Sequence, residues 1–143
     1  MTTTGHYGLP VPVPDQAPEL DWYWSANRER RLLVPRCGHC GLTFWYPRGF
    51  CPECGSAEVH GIGSAGTGQV YSFTVTRHGP GLYRGQGPYV LALVELDEGV
   101  RVMTNVVGCP PESVHIGQRV HAVFDPVPDQ SHLLRFTPME ASA

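Results

Sequence analysis

The second half of the chain has the alternating hydrophobic pattern of β-strands. Residues 69–76 alternate three large apolar side chains, beginning at Tyr71, with serine and threonine, as expected for a half-buried strand. Residues 89–96 are almost wholly apolar, which predicts a strand covered on both faces. The acidic and glycine residues at 97–99 then predict a tight hairpin turn into a strand over 100–107.

Two more strands are predicted over 118–124 and 131–136, separated by a turn that contains proline and aspartate. Residues 112–115 predict one helical turn, and 78–88 form a long loop with four glycines. Five short strands with one long loop and one helical interruption fit a small closed barrel, most commonly of the OB type. The tail from Thr137 is expected to be frayed.

The N-terminal part has a different pattern. Residues 1–18 carry four prolines, which disfavour helix and predict an extended arm. Residues 19–31 lack proline and glycine and have apolar side chains on one helical face, so we predict a short helix. Such a face needs a cover, either this chain's own barrel or a partner. This face comprises Leu20, Trp24, Asn27 and Arg31, with Trp22 and Tyr23 beside it.

The strongest chemical signal is a pair of C-x-x-C-G motifs at Cys37, Cys40, Cys51 and Cys54. Two residues between cysteines let a tight turn aim both sulfurs at one ion, and two such turns complete a tetrahedron. The ten residues 41–50 between the motifs can form a short hairpin with Pro47 near its bend, as in a zinc ribbon. Four thiolates leave no open coordination position, so the predicted zinc is structural; iron is the rival metal.

Residues 61–68 contain a formal G-x-G-x-x-G pattern. A dinucleotide site requires a preceding strand and a following helix, whereas a strand follows here. We therefore interpret these glycines as a flexible link and a bend at a barrel corner.

Composition narrows the functional classes. Only 16% of the residues are charged, which leaves much of the surface neutral or apolar and favours a chain that functions within a complex. The formal charge of −3 argues against a nucleic-acid partner. No apolar run is long enough for a membrane span, no signal peptide is evident, and five cysteines fit a reduced metal protein, so we expect a cytoplasmic location. The length favours a small module plus a barrel over a single large core.

The remaining reactive residues form no catalytic set. Residues 28–48 hold five arginines and one glutamate, an excess that compensates a negative metal site or meets a phosphate ligand or acidic partner. Cys109 has no neighbouring base, so we favour a buried apolar thiol over a nucleophile. His39 and His60 are surplus to a full metal shell and are expected to be solvated.

The order of motifs closely resembles the rubredoxin-like zinc ribbon plus OB-fold family called domain of unknown function 35, over roughly residues 19–137. The residues behind this resemblance are LDWYWSANRERRL, the two cysteine motifs, PYVLALVELDEG and IGQRV. It implies a mostly β fold with an N-terminal helix and rubredoxin-like zinc ribbon followed by a five-stranded OB-fold barrel. We expect an extended arm over 1–18, the helix and ribbon over 19–60, the barrel over 61–137 and a tail over 138–143.

The same resemblance implies function. Family members look like noncatalytic partners of thiolase-superfamily enzymes, including lipid-transfer-protein-type thiolases and aldolases. This chain would then be an accessory subunit in a hetero-oligomer, shaping the acyl-CoA channel of an enzyme that supplies the catalytic residues. The alternatives are a single-stranded nucleic-acid-binding protein, or an independent acyl-CoA-binding or acyl-transfer protein using Cys109. The implied ligand or partner surface comprises Trp22, Tyr23, Trp24, Arg31, Arg36, Arg48, Tyr83 and Arg84, with Arg31, Arg36 and Arg48 placed near CoA phosphates.

Overall fold

The computed structural model describes residues 3–139; the ends of the predicted arm and tail, residues 1–2 and 140–143, lie outside them. Within this range the chain has one α-helix, a two-stranded sheet and a closed five-stranded barrel, which confirms the predicted fold class. The elements are α1 (Asp21–Arg28), β1 (Leu33–Cys37), β2 (Val59–Gly63), β3 (Thr67–Thr76), β4 (Tyr89–Leu96), β5 (Arg101–Val106), β6 (Arg119–Pro126) and β7 (His132–Pro138).

Helix α1 is shorter than the predicted 19–31. A 3₁₀ turn at Pro18–Leu20 precedes it, and a Schellman motif ends it after Arg28. In this motif the Arg31 N–H donates to the Ala26 carbonyl at 2.9 Å and the Arg30 N–H donates to the Asn27 carbonyl at 3.0 Å. Arg30 takes the left-handed conformation, with φ of 57°, which turns the chain away before the predicted helix end.

The left-handed position at Arg30 yields a stability prediction. Glycine is the usual residue there, because a side chain in this conformation costs roughly 1–2 kcal/mol. Glycine at position 30 would remove this cost, but the greater freedom of glycine in the unfolded chain offsets part of the gain in stability. Arg30→Gly is therefore expected to raise the free energy of unfolding in urea by about 0.5–1 kcal/mol. Arg28→Gly, inside the helix, should lower it by a similar amount; a loss of stability in Arg30→Gly would contradict the assignment.

The ribbon sheet differs from the predicted hairpin. Residues 41–50 contain only an isolated bridge between Arg36 and Thr43, whereas β1 and β2, which flank the two cysteine motifs, form the antiparallel sheet. Pro47 cannot donate a ladder hydrogen bond, so the intervening segment pairs poorly with itself. The sheet instead joins chain segments that enter the first motif and leave the second.

The glycine segment 61–68 is only partly a link. Gly61–Gly63 belong to β2, and a Cβ at Gly61 would lie 2.8 Å from the Trp22 ring, so this glycine permits close packing. The link is Ser64–Gly66, where Gly66 has φ of 74°. The prediction of a flexible link is therefore wrong for 61–63.

The barrel closes in the order β3-β4-β5-β7-β6, with β5 and β7 parallel and the other pairs antiparallel. Strand β4 has the predicted bounds, but Leu91 on its outer face is 38% exposed, so the expectation of cover on both faces is wrong. A bulge between Val70 and Ser72 in β3 leaves Tyr71 44% exposed, out of line with Phe73 and Val75. An extra residue at a bulge reverses the side-chain alternation.

The two modules share one hydrophobic cluster. Tyr23, Leu32 and Val34 from the helix and ribbon are buried in the same cluster as Val94 and Phe136 of the barrel. The length had favoured a small module plus a barrel over a single large core, whereas the two parts share one core. The helix is covered by its own chain at Tyr23, whose side chain is buried in this cluster.

The two terminal segments of the described residues, 3–18 and 137–139, are more ordered than expected. Strand β7 continues to Pro138, and Thr137 pairs with His121, so the predicted fraying at Thr137 is wrong. The arm contains a turn closed by a bridge between Thr4 and Pro10, and Val11 is 2% exposed. The arm therefore packs on the barrel instead of forming a simple extended strap.

Asn27 joins α1 to the start of β7. Its side-chain oxygen accepts from the His132 N–H at 2.8 Å, and its amide donates to the His132 carbonyl at 3.0 Å. The His132 ring Nδ1 lies 2.9 Å from the Asn27 carbonyl, to which a protonated Nδ1 donates. Both residues are buried, so these groups have no access to water as a substitute.

We expect Asn27→Ala to lower the free energy of unfolding by about 2–3 kcal/mol, because it leaves the buried backbone groups of His132 unpaired. Urea denaturation monitored by tryptophan fluorescence measures this. Ser25→Ala on the same helix is the control and should change stability by less than about 0.5 kcal/mol. Equal effects of the two substitutions would show that the Asn27 contacts contribute little.

Candidate metal centre

The four cysteines converge on one point between the two knuckle turns. Their Sγ atoms all lie within 4.8 Å of one another. Cys37 and Cys54 Sγ are 3.6 Å apart, as are Cys40 and Cys51 Sγ. Tetrahedral zinc with Zn–S distances of about 2.3 Å would place its sulfurs about 3.8 Å apart. The sulfur cluster therefore has the dimensions that a zinc ion requires.

Backbone groups point at the sulfurs. The N–H groups of His39 and Cys40 each donate to Cys37 Sγ at 3.3 Å, and the Glu53 N–H donates to Cys51 Sγ at 3.4 Å. These donors favour the thiolate form. The pKa of Cys37 is lowered to about 6, and the hydrogen bond from the Cys40 N–H makes the largest contribution. At Cys37 the chain thus stabilises the thiolate, the form of sulfur that binds a metal.

The glycine after each cysteine pair allows these turns. Gly41 has φ of 81° and Gly55 has φ of 76°, a backbone region that other residues rarely adopt. The Gly41 N–H donates to the Cys37 carbonyl and the Gly55 N–H to the Cys51 carbonyl, both at 3.0 Å. The two turns therefore have matching hydrogen bonds, as the repeated C-x-x-C-G spacing predicts.

The donor set is closed. Within residues 3–139, the four cysteines are the one cluster of at least three His, Cys, Asp or Glu side chains placed to hold a metal. His39 and His60 are exposed and outside the cluster. Cys37 and Cys51 are buried, whereas Cys40 and Cys54 are exposed. With four sulfur ligands an ion has no position left for water or substrate, so its role is structural.

Comparison with known proteins agrees with this geometry. Residues 24–60 match the family model of the ChsH2 rubredoxin-like zinc ribbon domain, and residues 63–125 match that of the ChsH2 C-terminal OB-fold domain. A "DUF35 domain-containing scaffold protein" of Methanocaldococcus jannaschii is 40% identical over 103 residues, which cover 71% of this chain and 73% of that protein. The chain belongs to the DUF35 family.

Two further proteins similar to the DUF35 chain have names that refer to enzymes. It is 43% identical over 99 residues to a "probable enoyl-CoA hydratase alpha subunit" of Thermomonospora curvata, covering 69% of this chain but 31% of that protein. A solved structure described as "Ltp2-ChsH2(DUF35) aldolase" contains a chain 37% identical to this one, with a TM-score of 0.76. The alignment covers 88% of this chain and 98% of that chain.

The metal assignment follows from the family and the geometry together. Tetrahedral sulfur suits zinc or iron, but the matched ribbon of this DUF35 chain is a zinc domain, and its cysteines are positioned for one ion. The centre is therefore one structural zinc site.

The aromatic residues predicted as a surface divide into buried and accessible groups. Tyr23 is buried, which raises its pKa to about 12, and its ring packs edge-on against Trp24 and Trp45 at 5.1 and 5.9 Å. Trp22 and Trp24 are half-buried. Tyr83, in the glycine loop, lies with its ring centroid 4.9 Å from that of Tyr89 in β4, the two ring planes being tilted by 40°. Tyr23 therefore supports the chain's own core and offers no docking surface.

The predicted arginines lie in different places. Arg31 is exposed beside Glu29, with Nε 3.3 Å from its carboxylate. Arg36 is exposed on β1, whereas Arg48 follows the first knuckle and donates to the Tyr46 carbonyl at 3.2 Å. Arg84 is exposed in the glycine loop. Within residues 3–139, these four arginines therefore do not form a single cluster that could hold one ligand.

The sequence analysis did not predict a groove that the structure shows beside the helix. The groove, of about 310 Å³, lies between the helix and the barrel and is lined by Trp24, Trp45, Tyr46 and Met103. The aromatic residues near the helix and the first cysteine motif were a sequence signal for this groove. Met103 lies far from them in sequence and contributes only because the barrel folds beside them. Cys109 packs against the hydrophobic cluster but is only half-buried, which is less than the predicted burial. No helix among residues 3–139 has the length and hydrophobicity to span a membrane.

Proposed function

We propose that this chain is a noncatalytic accessory subunit that docks on a thiolase-superfamily acyl-CoA enzyme and shapes its acyl-CoA channel. The observation that carries this proposal is the likeness to the DUF35 chain of the Ltp2-ChsH2 aldolase, which extends over 98% of that chain at 37% identity. The hydratase subunit among the relatives supports an acyl-CoA context. We infer that the partner enzyme supplies the catalytic residues, because the candidate reactive groups of this chain are a closed metal site and a thiol without a basic neighbour in sequence.

That chemistry offers binding surfaces and a structural metal. The cysteine ligands complete the zinc shell, so the ion cannot activate water or a carbonyl group. Cys109 packs against apolar residues and has no basic neighbour in sequence, unlike an activated thiol. Catalysis would therefore come from the bound enzyme.

For the docking surface we propose the aromatic groove together with the ribbon and the glycine loop. Tyr46 and Met103 at the groove are 52% and 54% exposed, a large apolar exposure for a chain with few charges. The proposed contacts remain Trp22, Trp24, Arg31, Arg36, Arg48, Tyr83 and Arg84, with the arginines meeting acidic or phosphate groups.

Co-expression tests the proposal directly. The chain is produced with each thiolase-like enzyme encoded beside its gene, and complexes are isolated by size-exclusion chromatography with light scattering. We expect one such enzyme to form a stable hetero-oligomer, and acyl-CoA cleavage or condensation to occur in the complex but not with the isolated chain. Tyr46→Ser with Met103→Ser should weaken the complex, whereas Ile116→Ser, at another exposed apolar site, should not.

Two results would contradict the proposal. One is turnover of acyl-CoA by the isolated chain that disappears in Cys109→Ala, which would assign catalysis to this chain. The other is failure of every neighbouring thiolase-like enzyme to bind while a single-stranded oligonucleotide binds in a salt-sensitive manner.

A further inference from the structure

The four metal ligands differ in their access to solvent. Cys40 and Cys54, the second cysteine of each motif, are exposed, whereas Cys37 and Cys51, the first of each, are buried. Because all four sulfurs bind a metal as thiolates, ionisation does not distinguish them, and access to a reagent does. The exposed pair is therefore the part of the metal site that a small oxidant reaches first.

Backbone hydrogen bonds separate the same two pairs of sulfurs. Each buried sulfur accepts from two backbone N–H groups, and each exposed sulfur accepts from one. The donors are His39 and Cys40 to Cys37, Glu53 and Cys54 to Cys51, Leu42 to Cys40, and Ser56 to Cys54. A hydrogen bond to a thiolate stabilises its charge and lowers its nucleophilicity. The accessible sulfurs are therefore also the more nucleophilic ones.

Two close sulfur contacts cross from one motif to the other. Cys54 Sγ lies 3.6 Å from Cys37 Sγ, and Cys40 Sγ lies 3.6 Å from Cys51 Sγ. Each contact joins one exposed residue to one buried residue. An exposed sulfur that is oxidised therefore has a buried thiolate beside it that can complete a disulfide.

The chain between the two motifs depends on the same ligands for its position. Segment 41–50 begins beside one ligand and ends beside another, and its Trp45 and Tyr46 line the aromatic groove. The segment pairs with β1 through an isolated bridge between Arg36 and Thr43. Loss of the metal therefore loosens one wall of the groove.

We propose that the ribbon is a peroxide-sensitive switch in which Cys40 and Cys54 are oxidised first. The thiolate sulfur of Cys54 attacks one oxygen of hydrogen peroxide, the O–O bond breaks and hydroxide leaves, which gives a sulfenic acid. The thiolate of Cys37 then attacks that sulfur and displaces a second hydroxide, which gives a disulfide. Two electrons pass from the two sulfurs to the peroxide, and solvent protonates both hydroxide ions to water.

Oxidation of one pair removes two of the four ligands. Cys40 and Cys51 react in the same way with a second molecule of peroxide, so that the site loses all four thiolates and releases its zinc. The switch goes beyond the proposed docking function, because it operates in the isolated chain and requires no partner enzyme. Failure of either proposal therefore leaves the other standing.

Sulfenic-acid trapping on the full zinc-loaded chain tests which sulfurs react first. The chain is treated with substoichiometric hydrogen peroxide in the presence of dimedone, and peptide mass spectrometry locates the label. We expect Cys40 and Cys54 to carry about tenfold more label than Cys37 and Cys51, because oxidation follows exposure. Label concentrated on the buried pair, or on Cys109, would overturn the proposed order.

The disulfides and the released zinc are measured without dimedone and with excess peroxide. Non-reducing peptide mapping should find Cys37 joined to Cys54 and Cys40 joined to Cys51, and a colorimetric chelator should detect zinc in step with these disulfides. Tryptophan fluorescence should change in parallel, because Trp45 lies between the motifs. Disulfides within either C-x-x-C motif would overturn the step between motifs, and unchanged fluorescence after complete release would overturn the link to the groove.

Two double variants separate exposure from the number of thiolates. Cys40→His with Cys54→His replaces the exposed ligands, and Cys37→His with Cys51→His replaces the buried ones; both leave two cysteines and two histidines, a common zinc ligand set. Release by peroxide should be about tenfold slower from the first variant than from the second, because only the second keeps exposed thiolates. Cys109→Ser removes a thiol outside the cluster and should release zinc at the wild-type rate.

Equal release rates from the two double variants would show that exposure does not control the reaction. Where either variant fails to bind zinc, labelling of the wild-type chain still tests the order of oxidation, since it needs no substitution.

Discussion

Cys37→Ser is expected to abolish zinc binding and unfold the ribbon. Structural zinc sites contribute apparent binding free energies of about 10–16 kcal/mol, and in small modules this energy is folding energy. The ribbon sheet has two strands of five residues each, too few to be stable alone. Cys37 also lies at the end of β1, where its backbone N–H donates to the Leu42 carbonyl at 2.8 Å. Zinc binding therefore provides folding free energy that the small ribbon sheet cannot provide by burying apolar area.

Metal analysis by mass spectrometry should find one zinc per wild-type chain and less than about 0.1 per Cys37→Ser chain, given a closed four-sulfur site. Tryptophan fluorescence should also change, because Trp22 packs over Gly61 of the ribbon and Trp45 follows the first knuckle. Cys109→Ser is the matched control, a thiol outside the metal cluster, and should retain full zinc and the native spectrum. A fold that survives complete chelation would refute the structural role of zinc.

Arg135→Met is expected to lower the free energy of unfolding by about 3–5 kcal/mol, because it leaves a buried carboxylate without its partner. Arg135 is 2% exposed and Asp125 is 0% exposed. Arg135 Nε donates to Asp125 at 2.7 Å, Nη1 to the Asn105 side chain at 2.6 Å and Nη2 to the Pro10 carbonyl at 2.7 Å. Asp125 also accepts from the His6 N–H at 2.9 Å. The ion pair therefore fastens the arm to the barrel.

Urea denaturation of a double-mutant cycle measures this. Arg135→Met with Asp125→Leu should cost clearly less than the sum of the single substitutions, since removing both charges leaves neither unpaired. Arg119→Gln disrupts the exposed pair with Asp97 and should cost less than about 1 kcal/mol. Additive single effects would show that the two buried charges do not depend on each other. Arg135→Met should also expose the arm near Pro10 to proteolysis.

The sequence alone determined the metal ligands and most of the barrel. The two residues between the cysteines of each motif form one tight turn that points both sulfurs to the same side, so the spacing identifies the ligands without knowledge of the fold. The alternation and turn residues likewise predicted β4 with its observed bounds, because strand geometry and turn conformation are properties of neighbouring residues. The repeated C-x-x-C-G spacing also predicted one shared cluster, although the sheet that joins the two motifs, β1 with β2, was not predicted.

Tertiary structure decided the features that depend on residues far apart in the chain. The buried pair of Arg135 and Pro10 spans 125 positions, and the α1 contact of Asn27 with His132 spans 105. No local pattern encodes such partners. The bulge that exposes Tyr71 depends on its register with β4, and the aromatic groove exists only where helix and barrel meet. Long-range pairing chooses one arrangement among many that local preferences allow, and the buried charges and apolar contacts that select it are visible only once the chain has folded.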